Sequence, residues 1–261
     1  MSRKISYLVV EGPHDIEFIG RFLKRDQLKR VRMVTDLEPA FERLVPTSFP
    51  NQGDLLKRIP VPTFFQNEHH AVAVHSATGI NNLVTTACDN LALIEGTIHS
   101  FGFVLDQDSG ETVAERYQSL KDSFAQQLTE IELPDTAGSV ASGSPRTGLF
   151  ILPDNHAAGT LESLLTSAGE FAYSQLSAEA AKFIDAVDTS CLAPKDLRDF
   201  QKPFGQEKAR VAAIGAVLRP GKAIQVSLQD NQWITDASIN AVVGLKAFHD
   251  FLSELFELAF S

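Results

Sequence analysis

Cysteine is scarce. There are two in 261 residues, Cys88 and Cys191, and neither lies in a C-x-x-C pattern. That excludes a disulfide framework and argues against structural zinc; the expectation is that both are small buried apolar residues. Long apolar runs are missing too. None approaches the roughly 20 residues needed to span a bilayer. At the start, Arg3 and Lys4 precede a short strand-like run and then acids, which does not read as a signal peptide. A cytoplasmic protein without membrane contact is expected. Positive charge is also in deficit, with 23 Lys and Arg against 33 Asp and Glu for a net charge of −10. This argues against wrapping nucleic acid by bulk electrostatics, but not against holding a phosphate chain through a bound metal and a local basic patch. No internal repeat, low-complexity tract or coiled coil is present.

What is present is a set of short apolar runs that each end in acid. Ile5-Ser6-Tyr7-Leu8-Val9-Val10 leads into Glu11-Gly12-Pro13-His14-Asp15. The run is short, continuous and rich in β-branched and aromatic residues, as in a strand buried on both faces. Gly12 lets the chain turn and Pro13 suits the first position of a helix. Ile16, Ile19, Phe22 and Leu23 then recur at helical spacing. Phe101-Gly102-Phe103-Val104-Leu105 ends in Asp106-Gln107-Asp108, and a strand over 148–152 ends in Pro153-Asp154.

Further strands are expected over 71–74 and 223–228, and helices over 80–93, 111–130, 169–188, 206–218 and 237–260, with another starting near Thr160. Gly79 reads as a turn into a helix. Five prolines between 39 and 62 break up the stretch 35–69, which reads as an insertion with a short helix near 39–44 and an ordered irregular excursion over 46–65. Phe49, Phe64 and Phe65 would need burial there. Residues 134–147 read as a surface loop. The alternation predicts an α/β fold: a mainly parallel sheet with helices on both faces over 1–168, and a mostly helical extension over 169–261 packed on that core.

In such sheets ligands sit at the carboxyl ends of the strands. Glu11, Asp15, Asp106, Asp108, Asp154 and Glu162 all fall there. Carboxylates crowded at one edge repel and would protonate or splay apart unless a cation neutralised them. Oxygen-only ligands select a hard ion, Mg²⁺ or Mn²⁺. Continuing the strand through D-x-D would set Asp106 and Asp108 side by side. Taken singly, each acid also has a plain structural explanation as a turn former or helix cap. His14, His75 and His156 lie near strand ends, where a turn residue or a satisfied core partner is the ordinary role.

The set Val9-Val10-Glu11-Gly12-Pro13-His14-Asp15, then Gly79, then Leu105-Asp106-Gln107-Asp108, resembles the toprim domain of topoisomerases, primases, OLD-family nucleases and small ribonuclease-maturation enzymes. That domain has Glu-Gly after its first strand, Gly after its second and D-x-D after its third. Leu152-Pro153-Asp154-Asn155, Gly159-Thr160-Leu161-Glu162 and Glu207-Lys208-Ala209-Arg210 resemble an uncharacterised toprim-like family related to the OLD nucleases. The resemblance covers 5–165 well and 200–255 loosely. It implies a metal-dependent nuclease acting on DNA or RNA. Glu11 would be a metal ligand or general base or acid, Asp106 and Asp108 metal ligands, and Asp15 and Glu162 candidates for a second ion. Lys208 would stabilise charge on the phosphate. None of the three tyrosines, Tyr7, Tyr117 and Tyr173, can be assigned as a topoisomerase nucleophile. The ATPase half of a full OLD protein is lacking, so a partner ATPase on a separate chain, or a binding or regulatory role for this chain, is the alternative expectation. A homo-oligomer is compatible with both. A receiver- or phosphatase-like domain ranks below them, because its nucleophilic aspartate follows a different local pattern.

Overall fold

In a computed structural model, the structure describes residues 2–48, 60–108 and 110–258. Seven strands form one sheet: β1 (Lys4–Val10), β2 (Lys29–Arg30), β3 (Thr63–Gln66), β4 (His70–Ser76), β5 (Ile98–Asp106), β6 (Val140–Ala141) and β7 (Arg146–Leu152). Their order is β2-β3-β4-β1-β5-β7-β6. The central four, β4-β1-β5-β7, are parallel, and antiparallel β3, β2 and β6 close the edges. The α/β expectation, with a helical C-terminal part, is met.

Side chains along a strand alternate between faces, and the apolar runs divide accordingly. Leu8, Val10, Val104, Phe150 and Leu152 enter one core with Phe18 and Phe22 of α1 (Pro13–Arg25). Tyr7, Val9, Phe101, Phe103, Leu149 and Ile151 enter the other, under α2 (Leu83–Leu91) and α3 (Val113–Gln127). A sheet covered on both faces explains why its strands read as continuous apolar runs.

After β7 the regular elements among the described residues are helices, the α-helices being α4 (Leu161–Ala172), α5 (Ser174–Asp185), α6 (Pro194–Phe200), α7 (Gly205–Leu218), α8 (Ile224–Asp230), α9 (Asp236–Ala241) and α10 (Val243–Phe256). Helix α10 packs on β5 and β7 beside α1, where Phe248 meets Phe18, Phe22 and Phe150. The cross-strand pair Gly102–Gly148 makes room for it. A Cβ at Gly148 would stand 2.7 Å from Phe251, and one at Gly102 would stand 3.0 Å from Leu255.

Several expectations are corrected. Residues 223–228 are not a strand but start α8, because Leu228 is fully buried on a helical face. The region 46–65 is not wholly irregular: Thr63–Gln66 pairs with β4 as a strand and buries Phe64 and Phe65. Phe49 lies outside the described residues. The 134–147 loop contains the short edge strand β6. The 237–260 helix is broken at Val242 into α9 and α10, and a break at Tyr173 separates α4 from α5. Neither cysteine is buried: Cys88 is half-buried and Cys191 exposed. Among the described residues, no helix is long and apolar enough to cross a membrane.

Candidate functional site

Strands β1, β5 and β7 end at one level, and helices α1 and α4 begin beside them. Glu11 directly follows β1. Its carbonyl accepts the Gly79 N–H at 3.0 Å, and its Oε2 lies 3.5 Å from the Asp106 N–H. Gly79 holds that position with φ of +124°, a conformation that side chains disfavour. The resemblance glycine is therefore a brace for the Glu11 backbone as well as a turn. Gly12 caps α1 with extended backbone, and its N–H donates to Asp15 Oδ2 at 2.7 Å. That bond turns Asp15 back over the strand end, where it is only 6% exposed.

Asp106 is the last residue of β5, and its Oδ1 accepts the Leu161 N–H at the start of α4, at 2.8 Å. Glu162 lies in the first turn of that helix, where Thr160 donates to its Oε2 at 2.9 Å. His14 Nδ1 approaches Glu162 at 3.7 Å and Lys208 Nζ at 3.9 Å. Helix α7 brings Lys208 there, anchored to α4 by a short hydrogen bond from Ser163 to Glu207.

Glu11, Asp15, Asp106 and Glu162 thus form one electrostatic group. Burial raises the Asp106 carboxyl well above the usual range, and Asp15, Glu11 and Glu162 add to the effect. Burial, with Glu11 and Glu162, pushes Asp15 up to about 7 against the opposing Gly12 N–H. Glu11 is raised by burial and by Asp108, and restrained by the Asp106 N–H, Arg116 and Lys208. Glu162 goes the other way. Burial alone would raise it, but His14, Lys208 and Thr160 together bring it below the usual value. Within the group, Glu162 is thus shifted down while Glu11, Asp15 and Asp106 are shifted up.

Asp108 does not stand beside Asp106 along a continued strand. The strand ends at Asp106, Asp108 takes φ of +56°, and its Oδ2 is 3.3 Å from Arg116 Nη2. Asp108 still acts on Glu11 through space. Asp154 belongs to its own turn, accepting the His156 and Ala157 N–H groups at 2.9 and 2.7 Å. His75 is a satisfied core partner, bonded to Tyr7 at 2.9 Å and to the Pro60 carbonyl at 3.0 Å.

Two residues that the sequence reading passed over complete the arrangement. Gln107, 3% exposed, bonds the Leu152 and Gly159 carbonyls and the Gly159 N–H, fastening β5 to the loop before α4. Arg116 binds the Gln107 carbonyl, Asp108 and Glu111. Its place in the first turns of the helix after D-x-D was the available signal.

The donor chemistry suits a hard divalent cation: all the groups are carboxylates, and three are raised, first by burial and then by neighbouring acids. Among the described residues, however, no three His, Cys, Asp or Glu side chains converge as a ligand set. Asp15 and Asp106 are each turned to a backbone N–H.

The crystal structure of a hypothetical protein from Pyrococcus horikoshii OT3 is similar, with a TM-score of 0.50 at 16% identity over 97% of this chain and 95% of that one. That likeness is one of fold alone. No curated protein matches the chain. Residues 5–257 match the family described as "Protein of unknown function (DUF3226)", and the chain belongs to that family.

Proposed function

We propose that this chain is a cytoplasmic nuclease of toprim type that hydrolyses phosphodiester bonds of DNA or RNA with Mg²⁺ or Mn²⁺. The observation that carries the reading is the group Glu11, Asp15, Asp106 and Glu162 at the carboxyl ends of the parallel strands, Asp15 buried and the others half-buried, with three members raised by burial and by neighbouring acids. The order Glu11-Gly12, Gly79, Asp106-x-Asp108 supports it. Glu11, Asp106 and Asp108 would hold the ion, with Asp15 and Glu162 serving a second, and Asp106 would exchange its Leu161 N–H for it. When bound, the ion polarises the phosphate and acidifies a water.

The remaining work falls to the chain. Glu11 takes a proton from the attacking water as the new O–P bond forms and the bond to the leaving oxygen breaks. The leaving oxygen takes its proton from solvent. Lys208, about half exposed beside Glu162, offers its ammonium to the charge building on the phosphate. Arg116 restrains Asp108 and offsets its repulsion of Glu11. The test is cleavage of labelled DNA and RNA with each metal by the wild type, Glu11→Gln and Asp106→Asn. Loss in both variants supports the reading; identical behaviour of all three proteins contradicts it.

The dispersal of the carboxylates among protein donors favours a second reading. In it the chain is a subunit whose site closes only on a partner ATPase. Activity that appears only with such a partner would select this reading, and efficient cleavage by the chain alone would remove it.

A further inference from the structure

The chain carries −10 overall, yet residues 21–32 hold six cations, Arg21, Lys24, Arg25, Lys29, Arg30 and Arg32, against the single acid Asp26. That segment is net +5, leaving −15 for the rest. It comprises the last turns of α1, the connecting turn and the edge strand β2, so the charge lies along one border of the sheet. Three of the six have structural work. Arg21 donates to the Gln229 carbonyl at 2.7 Å, Arg25 pairs with Asp236, and Arg30 pairs with Glu17 at 2.7 Å while lying over the Phe65 ring. The other three, Lys24, Lys29 and Arg32, are exposed and make no ion pair among the described residues.

These three line two adjoining grooves that share Gln27, Lys29 and Arg30. One, of about 570 Å³, includes Lys24 and the Phe65 ring; the other, of about 960 Å³, includes Arg32 and Arg3. Glu17 and Asp230 are the acids on the first groove's wall, paired with Arg30 and Arg219, and Asp36 and Glu68 those on the second's. A row of unpaired cations spread along an edge, in a protein otherwise strongly negative, is complementary to a polyanion with regularly spaced charge.

We infer that this border, with Lys24, Lys29 and Arg32 at its centre, docks the phosphate backbone of a nucleic acid. The choice of nucleic acid over another polyanion rests on the nuclease reading; the existence of the basic surface does not. Lys29 pairs with Gln66, which pairs with Ala71, the partner of Ile5 at the start of β1. The carboxylates stand at the other end of that seven-residue strand, ~23 Å away. The border therefore holds phosphates flanking the cleaved bond, about 7 base pairs distant along a duplex, and not the scissile phosphate.

The experiment is fluorescence anisotropy with a labelled 20-base-pair duplex, in chelator so that no hydrolysis occurs, across a salt series. The triple variant Lys24→Glu, Lys29→Glu, Arg32→Glu should bind at least about tenfold more weakly, with a salt slope smaller by about 2–3. Reversing Lys182, Lys195 and Lys222, which are exposed elsewhere, should leave both quantities unchanged. Binding that survives the border variant, or falls equally in the control, overturns the inference. So does equally tight, border-dependent binding of polyglutamate or of phosphatidylserine vesicles. Loss of metal-dependent cleavage in other assays would leave this result standing, so the two readings fail separately.

Discussion

At the amino ends of the strands, Glu257 sits among Lys4 at 2.5 Å and His99 and Arg146 at 3.3 Å each. At the carboxyl ends, Asp15 and Asp106 each accept one backbone N–H and have Glu11 and Glu162 as acidic neighbours. The consequences have opposite sign. The Lys4 hydrogen bond, with Arg146 and His99, holds Glu257 below the usual carboxylate range, while burial and neighbouring acids lift Asp106 and Asp15 above it. The first cluster sets one carboxylate among three basic side chains and links β1 to the residue that follows α10. The second leaves acids facing one another, which is what the proposed metal site would relieve.

Three substitutions, read by four measurements, would break or sharpen that contrast. The largest effect is on activity: Asp106→Asn should lower metal-dependent cleavage by about 10²–10³-fold, read from kcat/KM on a labelled duplex. The same variant should be more stable than the wild type in chelator, by on the order of 2 kcal/mol, because it removes one buried like charge while its oxygen still accepts the Leu161 N–H. Urea titration measures this, and a loss of stability would put Asp106 in the satisfied class with Glu257.

The third concerns His70, near the amino-end cluster. Burial, with Lys4, His99 and His69, lowers it to about 4 against an ordinary 6.5. As pH falls from 6.5 toward 4 the unfolded chain takes a proton that the folded chain refuses, so stability declines across that window. His70→Gln should flatten the decline by about 1–2 kcal/mol, read from denaturation midpoints at pH 4.5 and 7. The smallest effect is Glu257→Gln. Its side chain is 42% exposed, and the loss should stay under about 1 kcal/mol, shrinking further in high salt.

The parts of the fold that sequence made legible are those with local signals. The apolar run into Glu11-Gly12-Pro13 needs only its own residues to say strand, turn and helix start. Asp106 could be placed at a strand end for the same reason. Ile224 and Val226 misled because β-branched residues two apart suggest a strand. The helical face they join is set by α7, where a Cβ at Gly215 would stand 2.5 Å from Ile224, and no local pattern reports that neighbour. Strands β2, β3 and β6 are two to four residues long and defined by pairing partners, so periodicity could not find them. The site divides likewise. Glu11, Asp15, Asp106 and Glu162 were legible as strand-end and helix-start acids. The turn at Asp108 and the Gln107 clasp arise from contacts that no spacing rule carries, and Arg116 was marked only by its place in the first turns of the helix after D-x-D. The Lys4–Glu257 pair spans 253 positions and was beyond reach altogether.

The most direct measurement is anomalous scattering from crystals grown or soaked with Mn²⁺. The account requires a peak within ligand distance of Glu11 and Asp106, absent from Asp106→Asn crystals. Full Mn²⁺ loading with no peak at these carboxylates, or an identical peak in the variant, would contradict it.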